Sequence, residues 1–414
     1  MKTIDGINRK IREGTVVVLT AGELKARIRD GETVTPKEVD VVTTGTFGVM
    51  SGTMAVLSFP VAKPGTFQKA EQVLLNGVPA YPGPCPNERN GILDLVVYGT
   101  AHRDHRYGGG HLFRDIVAGH VIAVEVLAGE QTLETTITLD QMGLARIIAT
   151  RMAFRNYHAM INRSVAPVQT IFSVTGLAGP CTEVSVSGCG EINPLENDPE
   201  RRFIGTGTRV LLNGGTGYVI GEGTRSSKEK PNLSVYGNMK GMDPKMMGGF
   251  ITSAGPECLT SLAAPIPVLD QAALDQLLVL DAEVNLPIAG INDRSGCAAS
   301  KYSEVWQGTD HRIQNDPSGC IHCETCRAAA LCPTGAISPG AVIDRNRCVN
   351  CGTCVQVCPG SAFSGILGVV TYEGRPVPIT LRQSDRIRGT YLCAELKERI
   401  LAGTFSLTGK VDSL

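Results

Sequence analysis

Charge is scarce in this 414-residue chain: 19% of residues are Asp, Glu, Lys or Arg, and the net charge is −1. The 39 Lys and Arg form no cluster, so the electrostatic footprint of a nucleic-acid binder is missing. Long apolar runs are missing as well. Residues 1–14 spread their charges among Ile4, Ile7 and Ile11 and offer no apolar core for a secretion signal. The apolar run at 16–19 is far too short to span a bilayer. Aromatics are few, at 5%, whereas glycine is abundant at 48 residues. With 42% hydrophobic residues, this composition implies a globular chain with many tight turns and close backbone approaches. Its length leaves room for two or three domains and a sizeable core.

Cysteine is the residue the chain does have, 14 in all, and eight fall in one stretch. They read Cys320-x2-Cys323-x2-Cys326-x5-Cys332-Pro333 and Cys348-x2-Cys351-x2-Cys354-x3-Cys358-Pro359. Two runs that each close on Cys-Pro form the pattern of a bacterial-type ferredoxin carrying two [4Fe–4S] clusters. Two intervening residues let the chain curl so that successive thiolates reach adjacent corners of one cube, and the fourth Cys of each run reaches the other cluster. Cys320, Cys323, Cys326 and Cys358 are therefore assigned to one cluster, and Cys348, Cys351, Cys354 and Cys332 to its neighbour. Five residues rather than three precede Cys332, which lengthens that loop. Zinc usually brings in His, and eight Cys with two Cys-Pro ends would be an odd way to hold it. Cluster ligands need a reducing compartment, so the expected location is the cytoplasm.

The cluster module needs only about 60 residues, and the rest of the chain must serve another purpose. Ile4, Ile7 and Ile11 at helical spacing with Gly14 as a stop predict an N-terminal helix. Thr20 and Glu23 form a capping box for a second helix ending near Asp30-Gly31. Strands are expected at 15–19, 39–43 and 92–98, hairpins at 121–138, 209–220 and 371–381, and helices at 139–156, 274–281 and 394–401. Asn213-Gly214 between apolar runs is a strong hairpin signal. The expected organisation is a mixed, β-rich α/β catalytic domain (1–295), an irregular linker (296–318), the ferredoxin-like domain (319–362) and a hairpin and helix (363–414) packed on the preceding domains.

Four stretches stand out as candidate chemistry. Thr43-Thr44-Gly45-Thr46-Phe47-Gly48 reads as a glycine- and hydroxyl-rich turn after a strand, offering free N–H groups to an anion. The most polar cluster is His102-Arg103-Asp104-His105-Arg106-Tyr107, followed by Gly108-Gly109-Gly110-His111. Imidazoles and guanidinium groups beside three glycines suit anion binding or proton movement. Cys181 and Cys189 lie in a Gly/Ser-rich stretch and Cys85 in a proline-rich loop, where thiols are expected to be accessible.

The segments Val39 to Gly48, Tyr107-Gly108-Gly109-Gly110-His111, Glu134 to Asp140 and Gly221-Glu222-Gly223-Thr224 resemble the DUF39, or homocysteine biosynthesis, family. Fusion to a two-cluster ferredoxin is similar to its methanogen subgroup, the methanogenesis marker 16 proteins. The resemblance implies sulfur assimilation: a small anionic aldehyde, sulfide or a persulfide donor, and a low-potential electron donor protein yield the corresponding thiol. Sulfoacetaldehyde, giving coenzyme M, is the expected substrate. Aspartate semialdehyde, giving homocysteine, is the alternative, and an electron-relay or assembly protein is a third reading. The homocysteine branch carries a Cys shortly after the Gly-Thr-Phe-Gly segment and another before the Glu-Thr-Thr segment. Here Met50 and Ser51 occupy the first place, and 129–133 offers no thiol. The expected roles are Cys189 or Cys85 as sulfur carrier and His111 as acid, with Thr44, Gly45, Thr46, Arg103, Arg106 and Gly109 holding the substrate's anionic group. Assembly into a homo-oligomer stays open.

Overall fold

The computed structural model describes residues 2–155 and 157–411. The chain opens with the helix Ile4–Glu13, whose first turn is capped by Thr3 Oγ1 accepting from the Gly6 N–H and whose end is closed by Gly14 at φ 69°. Ile7 and Ile11 are its buried stripe. Thr20 and Glu23 cap each other's backbone at the start of the Ala21–Arg29 helix.

Most of the β structure lies in one sheet of fourteen strands. Its edge pair, Val18–Thr20 with Val41–Val49, is parallel. From there the order runs through Gly255–Pro267, Arg209–Leu212, Gly215–Glu222, Leu233–Asn238, Leu144–Met152 and Thr53–Pro60. It continues through Ile92–Tyr98, Val78–Pro82 and Gln72–Leu75 to the hairpin Ile122–Ala128 and Gln131–Ile137. Gly248–Thr252 pairs with Gly255–Pro267 off this path. Asn213 and Gly214, at φ 50° and 81°, make the tight turn between Arg209–Leu212 and Gly215–Glu222.

Residues 139–155 do not form the helix expected over 139–156, whose last residue lies outside the described residues. Leu144–Met152 is a strand flanked by Thr53–Pro60 and Leu233–Asn238. Ala145, Ile147 and Ala149 point inward in strict alternation, so period two wins over the apparent helical stripe once both edges are paired. Residues 43–48 are not a turn either. They lie within the Val41–Val49 strand, in register with Gly255–Pro267 from Val41↔Pro267 to Val49↔Leu259. Their glycines serve a close approach: a Cβ at Gly45 would stand 2.7 Å from the Gly389 carbonyl oxygen, and one at Gly48 2.7 Å from Ser384 Oγ. The Arg386–Leu401 helix thereby lies directly on this strand. It begins well before residue 394, its first turn capped by Asp385, while the helix expected at 274–281 is Gln271–Gln276.

A second sheet orders Gly296–Lys301, Asn285–Gly290, Ala159–Ile161, Val184–Val186, Arg375–Arg382 and Val369–Tyr372. The stretch 296–318, expected to be irregular, thus holds a strand of this sheet and the short helix Ser303–Trp306. The cysteine-rich segment forms two short helices, Arg327–Ala330 and Thr353–Val357, and two ladders, Ile337–Ser338 with Val342–Ile343 and Gln314–Asn315 with Phe363–Ser364. Its Ala328, Cys332 and Phe363 share an apolar core with Val184, Leu286 and Trp306 of the second sheet's layer. Among the described residues no helix is long and apolar enough to cross a membrane.

Candidate functional site

The Gly108-Gly109-Gly110 run brings a helix start against the sheet. A Cβ at Gly109 would collide with the Tyr98 carbonyl oxygen, and one at Gly110 would stand 2.5 Å from the Gly248 carbonyl oxygen. The helix Gly109–Val117 begins there and carries His111 in its first turn. His111 Nδ1 accepts from the Gly108 N–H at 3.2 Å, which leaves the ring proton on Nε2. The ring stacks on Tyr107 with centroids 5.6 Å apart and packs against Gly249, where a Cβ would overlap it. Burial pushes the His111 pKa down to about 4, with the nearby Arg106, Arg114 and Arg347 adding to the effect. His111 is therefore neutral near pH 7, where an unperturbed imidazole would be close to titrating.

His111 lines a cavity of about 230 Å³ together with Arg106, Arg114, Arg347 and Arg388. Arg114 lies one turn beyond His111 on the same helix, and its cation is disfavoured by burial and then by Arg347. Arg106 reaches the Ala330 carbonyl oxygen at the first cysteine run. Arg388 donates to the carbonyl oxygens of Asn346 at 2.8 Å and Cys348 at 2.9 Å, and its Nε stands 3.4 Å from Asp385. Thr334 and Gly335, after Cys332-Pro333, and Val349, after Cys348, complete the wall on that side. The lining carboxylate Asp115 accepts from the Tyr107 hydroxyl at 2.7 Å. The cavity is thus cationic, with a neutral imidazole donor and the cysteine loops at its edge.

Of the residues expected to build the site, His111 and Arg106 meet here. Arg103 does not: it is exposed, pairs with Asp104 at 2.8 Å and covers the Tyr107 ring. Thr44, Gly45 and Thr46 are buried strand residues. Thr44 Oγ1 is spent on the Ala264 carbonyl oxygen, and Thr46 is packed beside Cys189. Gly109 is wedged against Tyr98 and Gly99. Cys189 is fully buried rather than accessible, its Sγ 3.7 Å from the Phe47 carbonyl oxygen, and burial pushes its thiol up to about 11. Cys85 is exposed, and neither thiol lines the cavity. Met50 and Ser51 line a different cavity. The sequence reading missed Arg114, Arg347 and Arg388. Arg114 was within reach of it, because positions i and i+3 share a helix face.

The eight clustered cysteines fall into two groups. Cys320, Cys323, Cys326 and Cys358 line one cavity of about 110 Å³. Cys351 and Cys354 have thiols raised by burial and by the proximity of each other or of Cys332 and Cys348. The Ala336 N–H donates to Cys332 Sγ at 3.2 Å. Among the described residues no three His, Cys, Asp or Glu side chains form a site for a metal ion. Four thiols around one cavity and four more close to one another are the arrangement that the two expected clusters would require. All fourteen cysteines are free of disulfides.

The chain is 48% identical over 406 residues to an uncharacterized protein of Methanothermobacter thermautotrophicus, covering 97% of this chain and 94% of the relative. It is 34% identical over 333 residues to an L-aspartate semialdehyde sulfurtransferase of Methanocaldococcus jannaschii, covering 74% of this chain and 63% of that enzyme. A Methanosarcina acetivorans protein of the same name is 30% identical over 325 residues, with the same coverage. No solved structure matches. The family model described as "Homocysteine biosynthesis enzyme, sulfur-incorporation" matches residues 16–407, and the chain belongs to that family.

Proposed function

We propose that the protein converts a small anionic aldehyde into its thiol: one aldehyde, one hydrogen sulfide, two electrons and two protons give one thiol and one water. The carrying observation is the cavity in which His111 meets Arg106, Arg114, Arg347 and Arg388 beside the cysteine loops. The arginines take the substrate's anionic tail, since a guanidinium offers a planar fork to sulfonate or carboxylate oxygens. The neutral imidazole donates from Nε2 to the carbonyl oxygen as sulfur adds to the carbon and negative charge develops there. The thiol quartets would hold two [4Fe–4S] clusters, Cys320, Cys323, Cys326 and Cys358 one, and Cys332, Cys348, Cys351 and Cys354 the other. When bound, these supply electrons singly, received from a low-potential donor protein. Because Cys85 and Cys189 do not line the cavity, free sulfide is the favoured sulfur source over a persulfide carried on either.

Sulfoacetaldehyde fits this lining better than aspartate semialdehyde. The latter would bring an ammonium group among four arginines, where the lining carboxylate, Asp115, is already engaged by Tyr107. The relatives named for aspartate semialdehyde support the reaction class and keep that substrate as the second reading. The test is anaerobic: cluster-reconstituted protein, a low-potential reductant and sulfide are offered each aldehyde separately, and products are identified by mass. Coenzyme M from sulfoacetaldehyde alone is expected. Homocysteine alone would transfer the assignment to the second reading, and no thiol from either, with reducible clusters, would leave an electron relay.

A further inference from the structure

A second cavity, of about 300 Å³, opens where the Val41–Val49 strand ends. One part of its wall is apolar, with Met50, Phe154 and Phe172. The other part brings together Arg151, Arg225, Arg294 and Lys230, and among the described residues no Asp or Glu lines the space. The Arg151 cation is disfavoured first by burial, then by Arg225 and Arg294. The carboxylate that acts on Arg151, Glu257, is itself buried, which raises its pKa, and interacts with Ser51. Lys230 Nζ stands 2.9 Å from His158 Nε2. Burial, helped by Lys230 and Arg294, pushes that imidazole's pKa down to about 4, so it is neutral and accepts a hydrogen bond from the ammonium without adding charge.

Arg225, Lys230 and Arg294 are exposed and Arg151 is half-buried, and two details bear on this gathering of like charge. Among the described residues Arg151 Nε is buried with no hydrogen-bond partner, an uncommon state in folded proteins, while its guanidinium carbon lies 4.8 Å from the Phe154 ring centroid. Arg225 and Arg294 both hold left-handed backbone, at φ 58° and 55°, a conformation that costs a non-glycine residue energy. Cations that repel one another, on a strained backbone and with an unused donor, are stabilised when an anion arrives.

We propose that this cavity binds a small organic oxyanion, its sulfonate or carboxylate group on Arg151, Arg225, Arg294 and Lys230 and its carbon arm against Phe154 and Phe172. The site is separate from the one lined by His111, and the proposal does not depend on the reaction assigned there.

The experiment is anaerobic titration calorimetry on the reconstituted holoprotein at fixed ionic strength, with 1-propanesulfonate and, separately, inorganic sulfate as probes. In an Arg114→Met background, which weakens the anion site lined by His111, propanesulfonate should still bind, and its affinity should fall at least tenfold when Arg151→Met/Arg294→Met is added. Sulfate should bind more weakly than propanesulfonate. Without ligand, Arg151→Met/Arg294→Met should melt above the wild type, because repulsion has been relieved. Undetectable propanesulfonate binding, binding lost only in Arg114→Met, sulfate binding as tightly as propanesulfonate, or a lower melting temperature in the double variant would each overturn the proposal.

Discussion

His111 shows how one side chain's surroundings override its ordinary chemistry. Its pKa falls from 6.5 to about 4 because the ring is buried among arginines. The native state then binds fewer protons than the unfolded chain between those values. Its contribution to stability is full above pH 6.5 and is lost as pH drops through about 4, up to about 3 kcal/mol in all. Urea unfolding at about pH 4.5 and about pH 7.5 should show this loss in the wild type and a smaller one in His111→Gln; equal losses would mean that His111 is not the group responsible. Turnover should likewise lack a histidine limb near pH 6.5. Arg114→Met is expected to raise KM for the aldehyde at least tenfold with a smaller effect on kcat, as removal of a tail-binding contact should. Gly249→Ala places a methyl group in the imidazole's space, so activity should fall at least tenfold while circular dichroism stays native. In each case the residue's neighbours in space, rather than its neighbours in sequence, set the effect.

Two strands are held in place by different causes, edge pairing in one and close packing in the other. Leu144–Met152 holds its place because both edges are paired and alternate residues are buried. Ile147→Ala, at a fully buried position, should therefore cost about 3 kcal/mol in denaturant unfolding. Ile148→Thr, on the opposite face, should cost well under half as much. A helix would have penalised the two neighbours more evenly. Val41–Val49 depends on its glycines in another way. Gly45→Ala would press on the Gly389 carbonyl oxygen and on Cys393 Sγ, costing about 2 kcal/mol or more through overpacking. Gly241→Ala, where a Cβ meets nothing within 4 Å, should stay within about 0.5 kcal/mol of the wild type. The same close packing leaves no room for an anion along residues 44–46, which is why the proposed anion site draws on the Gly109–Val117 helix and the cysteine loops instead.

For the whole molecule, the question is how one polypeptide brings a cationic cavity beside two thiol quartets. The crossed assignment makes a sharp expectation for metal content. Cys326→Ala should lose about half of the reconstituted iron and inorganic sulfide, Cys326→Ala/Cys358→Ala no more than that, and Cys326→Ala/Cys354→Ala nearly all of it. If the first double variant instead emptied both sites, the two quartets would have to be redrawn. Much of this architecture is legible in the sequence wherever the cause is local. Thr20 with Glu23 caps a helix, Asn213-Gly214 turns a hairpin, Gly14 stops a helix, and the cysteine spacings group thiols, because each relies on residues only a few positions apart. His111 with Arg106 was legible for the same reason. Tertiary structure alone decided what depends on distant partners. It decided that Leu144–Met152 is a strand, since pairing on both edges outweighs a local stripe of apolar residues. It buried Cys189 and Thr44 to Thr46 under a helix from the end of the chain. It also carried Arg347 and Arg388 to Arg114, because the long-range pairing of sheets and helices determines where charges converge, and no spacing along the chain encodes it.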